Sequence, residues 1–194
     1  GVKASIIHID IDPAEIGKNV NAHIPIVGDV KSVLREFTKE IEACPCDEWL
    51  KKVQAAKKEA PLRGEPRTDF VEPRAFMRDL SAMMEDDAIL TADVGQNQIW
   101  AANNFNTKEG RFLTSGGMGT MGYALPAAIG AKLAKPKRQV VAVCGDGSFQ
   151  MSMCELATAN QNQVPLKLVV MRNKFLGMVK ELQDNLYQGR HVAT

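Results

Sequence analysis

Gln139-Val140-Val141-Ala142-Val143-Cys144-Gly145-Asp146-Gly147-Ser148 is the stretch on which the fold turns. Its apolar, β-branched first part has the composition of a strand buried on both faces, and Gly-Asp-Gly-Ser ends it with turn-forming residues. Working downstream, Phe149 to Asn160 predicts a helix, Leu166 to Met171 (LKLVVM) predicts a second strand, and Arg172-Asn173 follows at once. A strand–helix–strand unit of this kind sets the carboxyl ends of two parallel strands side by side, where open α/β sheets bind ligands. Asp146 and Asn173, each just past a strand end, are therefore expected to converge on one point.

Upstream the same alternation continues. Pro73 opens a predicted helix with Phe76, Leu80 and Met83 on one face; Ala88 to Asp93 (AILTAD) reads as a strand and Gln98 to Asn104 as a helix. Phe112-Leu113-Thr114 is a short strand running into a glycine-rich turn, and Tyr123 to Leu133 is a helix rich in small residues. The expected fold is α/β, a doubly wound and mostly parallel sheet, over residues 71–194. Ala4 to Asp10 (ASIIHID) and Ile24 to Val27 (IPIV) predict two further strands in the opening segment, the first of them buried from Val2 onward. A short helix opened by Asp12-Pro13 lies between them, and a longer helix from Val30 carries Val33, Leu34, Phe37 and Ile41. Residues 1–42 thus read as the C-terminal end of a second α/β domain. The stretch 43–70, with Pro45, Pro61, Gly64 and Pro66 among many charges, reads as a linker with one helical piece around Trp49 to Lys58.

Composition excludes several classes. Of 194 residues, 45% are hydrophobic and 24% charged, and the formal net charge is +1, which draws the chain neither to nucleic acid nor to an anionic membrane surface. No apolar run approaches the roughly 20 residues needed to span a bilayer. Reduced thiols in a cytoplasmic setting are the default expectation, while the opening residues read as a strand and not as a secretory or transit segment, which says little about a larger parent protein. Opening at Gly1 directly before a strand suggests a fragment that begins inside a larger polypeptide. Cys44-Pro45-Cys46 lacks the second ligand pair of a zinc site. Cys144 and Cys154 lie in apolar stretches and are expected in the core.

Magnesium takes about six oxygens in octahedral geometry, few of them from protein side chains. The carboxylate of Asp146, the amide oxygen of Asn173 and the carbonyl of Phe175 would leave room for phosphate oxygens and water. Gly147 has no Cβ to obstruct a phosphate, Ser148 can cap the following helix, and that helix, beginning near Phe149, points its positive end at the same place. A pyrophosphate-plus-metal site follows. The plainer reading is an ordinary strand-to-helix turn. Gly117-Met118-Gly119-Thr120-Met121-Gly122 also satisfies G-x-G-x-x-G, but the first downstream acid is Asp146, after a whole helix and strand, which leaves a nicotinamide fingerprint weak. Met121, Trp100 and Tyr123 read equally well as packing residues.

Gly145-Asp146-Gly147-Ser148 through Arg172-Asn173 resembles the thiamine diphosphate motif. With Asp93-Val94-Gly95-Gln96-Asn97-Gln98-Ile99-Trp100, Thr114 through Gly122, and Leu176-Gly177-Met178-Val179, the whole chain resembles the large catalytic subunit of acetohydroxyacid synthase (acetolactate synthase). The resemblance implies that Asp146, Asn173 and the Phe175 carbonyl ligate Mg²⁺. It implies that Val94, Gly95, Gln96, Asn97, Gly147, Ser148, Gly177 and Met178 line the diphosphate of thiamine diphosphate. Met121 would be the apolar wedge that bends the cofactor, and the Gly119 carbonyl would accept from its 4′-amino group. Asp10, Ile11, Asp29 and Val30 match the places that contact a structural FAD, although Asp12 and Asp29 serve equally as helix caps.

The implied reaction condenses pyruvate with a second 2-keto acid with loss of CO2, in branched-chain amino acid biosynthesis, by a transferase that is a homodimer or larger and takes a small regulatory subunit in some members. A sister thiamine diphosphate decarboxylase, oxidase or acetyltransferase, and a non-catalytic cofactor-binding or assembly module, stay open beside it. Two positions depart from the family pattern: Leu182 stands where many synthases carry Trp, and Arg172 where an Asn is common. Because the resemblance puts the essential Glu in an N-terminal domain outside these residues, the chain by itself is expected to show no turnover of pyruvate. Product analysis at saturating cofactor checks this, and any carboligation by the isolated chain would refute it.

Overall fold

A computed structural model describes residues 4–59 and 70–194. The chain divides into two units, Gly1–Gly64 and Glu65–Thr194. Gly1 to Lys3 of the opening segment, and Pro61, Gly64 and Pro66 of the expected linker, lie outside the described residues.

In the first unit, β1 (Ile7–Asp10) pairs in parallel with β2 (Ile24–Val27), Ile7 opposite Ile24 and Asp10 opposite Val27. Helix α1 (Val30–Glu40) starts where Asp29 accepts the Ser32 N–H at 2.9 Å, and α2 (Asp47–Glu59) covers the helical piece expected around Trp49. The short helix expected after Asp12 does not form. Asp12 accepts the Ala14 N–H and its carbonyl takes the Glu15 N–H, but these are isolated turns, and Gly17 then adopts φ +76°. So few residues do not offset the cost of nucleating a helix. The strand expected to be buried is half-buried instead, with Ile7 48% exposed.

In the second unit, β3 (Ile89–Ala92), β4 (Arg111–Thr114), β5 (Val140–Gly145) and β6 (Lys167–Met171) form one parallel sheet in the order β4-β3-β5-β6. The chain leaves β3 for β4 on one side and returns to place β5 on the other, so the topological switch point of the sheet lies between β3 and β5. Both central strands are buried on their two faces, which is why they read as continuous apolar runs. Side-chain alternation on β5 divides the core. Val141 and Val143 pack with Leu90, Met77 and Ala101, whereas Val140, Ala142 and Cys144 pack with Ile89, Ala124 and Ala128.

Helices α3 (Pro73–Met83) and α4 (Gln96–Asn104) supply the first layer, and α5 (Ala124–Ala134) the second. The carboxylate of Glu72 caps α3 by accepting the N–H groups of Arg74 and Ala75. Met83 was expected on the buried face but is 82% exposed. The helix ends there, and Met84, whose N–H reaches the Leu80 carbonyl, turns into the core instead.

The single helix expected over Phe149 to Asn160 is two: α6 (Asp146–Ser152) and α7 (Glu155–Gln161). Leu156 and Ala157 donate to carbonyls three residues back, a 3₁₀-type tightening that separates them. Cys154 sits in that junction and is exposed, not in the core as its apolar neighbours suggested. A last helix, α8 (Gly177–Leu186), follows β6. Among the described residues no helix is long and apolar enough to cross a membrane.

The four cysteines therefore differ in reactivity. Cys44, Cys46 and Cys154 are exposed, while burial, and secondarily the Asp93 carboxylate, pushes the Cys144 thiol up to about 12. Because only the thiolate reacts, alkylation at pH 8 is expected to add three groups to the native chain and a fourth only after unfolding. Intact-mass measurement distinguishes this from fourfold native labelling, which would mean that Cys144 is reachable.

Candidate cofactor site

The register Gly145 opposite Met171 brings the ends of β5 and β6 side by side, and Ala92 opposite Val143 does the same for β3 and β5. Chain segments leaving these three strands enclose a cavity of about 390 Å³. Val94, Gly95, Gln96 and Asn97 line it from beyond β3; Asp146, Gly147 and Ser148 from beyond β5; Asn173, Phe175, Gly177 and Met178 from beyond β6; and Met121 from the loop before α5. Twelve positions chosen from the sequence are thus brought together at the switch point. Gly119 is in the same loop, at φ +64°, but is not among the lining residues. Asp10, Ile11, Asp29 and Val30 belong to the Gly1–Gly64 unit. There the Asp29 carboxylate is engaged as the α1 cap, and the backbone and side-chain hydrogen bonds from Ser32 hold it below the usual aspartate range. Ile11 is 73% exposed, and Asp10 accepts the Asp12 N–H at 2.9 Å.

Asp146 and Asn173 are joined by the residue between the second of them and Phe175. The Lys174 N–H donates to Asp146 Oδ2 at 3.3 Å, the Gly147 N–H to Asp146 Oδ1 at 3.0 Å, and the Phe175 N–H to Asn173 Oδ1 at 3.0 Å. Lys174 takes φ +64° to make its bond, a left-handed conformation that a non-glycine residue adopts at a cost. Asn173 Nδ2 faces Gln96 Oε1 at 3.5 Å, and Gln96 Nε2 donates to Glu181 Oε2 at 3.0 Å, so one amide side chain links the start of α4 to α8.

The donor set suits a hard cation: one carboxylate, one amide oxygen and nearby backbone carbonyls. Among the described residues no three His, Cys, Asp or Glu side chains gather in a metal-binding group, so the remaining ligands of such an ion must be neutral oxygens or come from a bound anion. Three helices open on the cavity without a side-chain cap: α4 after Gly95, α6 after Gly145 and α8 after Leu176. Unsatisfied N–H groups at such ends attract phosphate oxygens. Ser148 does not cap its helix, because α6 begins at Asp146 instead of near Phe149. Its hydroxyl, buried, donates to the Gly145 carbonyl at 3.2 Å and stiffens the turn.

Glycine leaves the room that neighbouring side chains occupy where the walls meet. A Cβ on Gly177 would lie 2.1 Å from Gln96 Oε1 and 2.8 Å from Asn173 Nδ2, and one on Gly147 would lie 3.0 Å from Leu176 Cδ2 and 3.9 Å from Met121 Cε. Met121 accordingly reaches over the Gly-Asp-Gly turn, where an apolar wedge would meet a ligand held by that turn.

Residues 93–194 match the family model for the C-terminal TPP binding domain of thiamine pyrophosphate enzymes, and residues 2–37 that for the central domain of the same enzymes. The chain belongs to the thiamine pyrophosphate enzyme family. Within it, the probable acetolactate synthase large subunit of Methanocaldococcus jannaschii is 46% identical over 98% of this chain and 34% of the relative. The acetolactate synthase isozyme 3 large subunit of Escherichia coli K12 is 42% identical over 97% and 34%, and the acetolactate synthase large subunit of Lactococcus lactis 41% over 96% and 33%. The chain spans about a third of the length of these curated relatives.

Two contributors went unread in the sequence. Asp93 reads as a strand end with nothing to signal a buried carboxylate, and Glu181 gives no signal because its partner Gln96 is far away in the chain. The contact of Gly177 with Gln96 makes a direct test. Gly177→Ala in the full-length protein is expected to weaken thiamine diphosphate binding in the presence of Mg²⁺ by about tenfold or more, roughly 1.4 kcal/mol. Quenching of Trp100, which lines the cavity, provides the titration signal. An unchanged affinity would remove Gln96 and Gly177 from the ligand-binding wall.

Proposed function

We propose that the polypeptide containing this chain is an acetolactate synthase, condensing pyruvate with a second 2-keto acid with loss of CO2, and that these residues hold the cofactor's diphosphate and its Mg²⁺. The observation that carries the reading is the meeting of Asp146 and Asn173, tied through the Lys174 N–H, on a cavity that three uncapped helix ends share.

In this reading Asp146, Asn173 and the Phe175 carbonyl ligate the cation, and Val94 to Asn97, Gly147, Ser148, Gly177 and Met178 surround the diphosphate. Met121 bends the cofactor, and the Gly119 carbonyl orients its aminopyrimidine. When bound, thiamine diphosphate supplies an electron sink for decarboxylation, while the protein positions and desolvates it. Met121 and the Gly119 carbonyl would thus hold the group in the orientation that its proton-transfer chemistry needs, an arrangement with high effective molarity. Asp10, Ile11, Asp29 and Val30 are assigned to a structural FAD. The naming of the relatives as large subunits supports a small regulatory partner, and assembly as a homodimer or larger completes the proposal.

The full-length protein supplied with pyruvate, Mg²⁺ and thiamine diphosphate, with and without FAD, tests this. Acetolactate is expected, falling by roughly 100-fold or more in Asp146→Ala, which removes the charged ligand of the cation. Acetaldehyde or acetyl phosphate would keep the cofactor site but assign a sister activity. Cofactor binding without pyruvate consumption would point to a different 2-keto acid or to a non-catalytic module.

A further inference from the structure

Asp93 has no solvent exposure and lies at the first position beyond β3, its own N–H continuing the ladder to the Val143 carbonyl at 2.8 Å. Its carboxylate accepts three backbone N–H groups. Oδ1 takes those of Val94 and Gly122, both at 2.9 Å, and Oδ2 takes that of Ala124 at 2.8 Å. Val94 begins the segment that lines the cavity from β3. Gly122 and Ala124 end the loop that carries Met121, and Ala124 is the first residue of α5, whose own N-cap position, Tyr123, offers no side-chain cap. A carboxylate from another element therefore completes this helix end, with the charge sign that the helix dipole favours.

The Met121 loop has two further supports, since the Gly119 N–H donates to the Ser115 carbonyl at 3.2 Å and Thr91 Oγ1 donates to the Ala124 carbonyl at 2.9 Å. Gly119 and Gly122 both stand at positive φ, +64° and +81°, and between them Thr120 is held through its N–H to Ser115 Oγ at 3.0 Å. The nearest fixed point to Met121 is the bond from the Gly122 N–H to Asp93. Hydrogen bonds to a buried carboxylate are stronger than those to neutral acceptors, and each orphaned N–H would carry a desolvation penalty.

We propose that Asp93 is a positioning residue: through the N–H groups of Gly122 and Ala124 it sets the Met121 wedge over the Gly147 turn, and through that of Val94 it keeps the wedge in register with the diphosphate-binding segment. The inference rests on the cofactor reading above. It assigns Asp93 no contact with ligand. An amide in its place keeps the volume but turns an NH₂ towards one set of N–H groups, so Asp93→Asn should loosen the loop while leaving the cation ligands in place.

The test uses the full-length enzyme as wild type, Asp93→Asn, Asp93→Ala, Met121→Ala and Asp93→Asn with Met121→Ala. Cofactor affinity is measured in Mg²⁺, together with hydrogen–deuterium exchange at the thiazolium C2 of the bound cofactor, which reports the bent shape. In Asp93→Asn affinity should change by no more than about threefold while C2 exchange slows by about 30-fold or more, within the range of a mispositioned proton-transfer group. The double variant should be little slower than the slower single variant, because both act through one element. Wild-type exchange in Asp93→Asn, or losses that multiply in the double variant, would overturn the inference while leaving the cofactor reading intact. A wild-type enzyme that binds no thiamine diphosphate would overturn both. Should Asp93→Ala fail to fold, the near-isosteric Asp93→Asn carries the test alone.

Discussion

The pairing of β5 with β3 on one side and β6 on the other is the constraint on which the site depends. It fixes the depth at which Gly145 emerges from the sheet, and the registers to Ala92 and Met171 then decide which residues can face one another beyond the strand ends. Shifting one of these registers by a residue would turn every side chain of a strand to the opposite layer. The β5 alternation, Val141 and Val143 one way and Val140, Ala142 and Cys144 the other, makes such a slip costly on both faces. A core that resists slippage is what allows a site built from three separate loops to hold its geometry.

Much of this was legible in the residues, for physical reasons that differ from place to place. QVVAVC followed by GDGS leaves little alternative to a doubly buried strand meeting a tight turn, and LKLVVM followed by RN repeats the signal. Helix ends were harder. Asp12-Pro13 has the chemistry of a helix start, yet too few residues follow before Gly17 to sustain one. Met83 and Met84 are alike in composition, and only the chain's turn at the end of α3 decides that the second is buried. The break between α6 and α7 has no glycine or proline to announce it.

Within the site, Asp146, Gly147, Ser148, Asn173 and Phe175 could be argued from residue chemistry and strand context, whereas Val94 to Asn97, Met121, Gly177 and Met178 came only with the family resemblance. The contacts that hold the site left no signal, because the partners are distant: Asp93 acts on positions 122 and 124, and Glu181 meets Gln96. Spacing along a chain carries no record of such contacts. The candidate FAD contacts show the converse ambiguity, since an Asp at the end of a strand looks the same whether it serves a ribose or the first turn of a helix, and Asp29 is observed serving the helix.

The second layer of the core meets the sheet through Ala124 and Ala128, both fully buried against Ile89, Val140 and Ala142. A methyl group has no rotamers to exchange, so this interface lacks the slack that long side chains give, and a dense interior transmits displacement with little compression. The loop ahead of α5 is consequently mounted on a rigid footing. Its freedom lies in its own few residues and not in the helix behind them, which makes it a short lever on a stiff base.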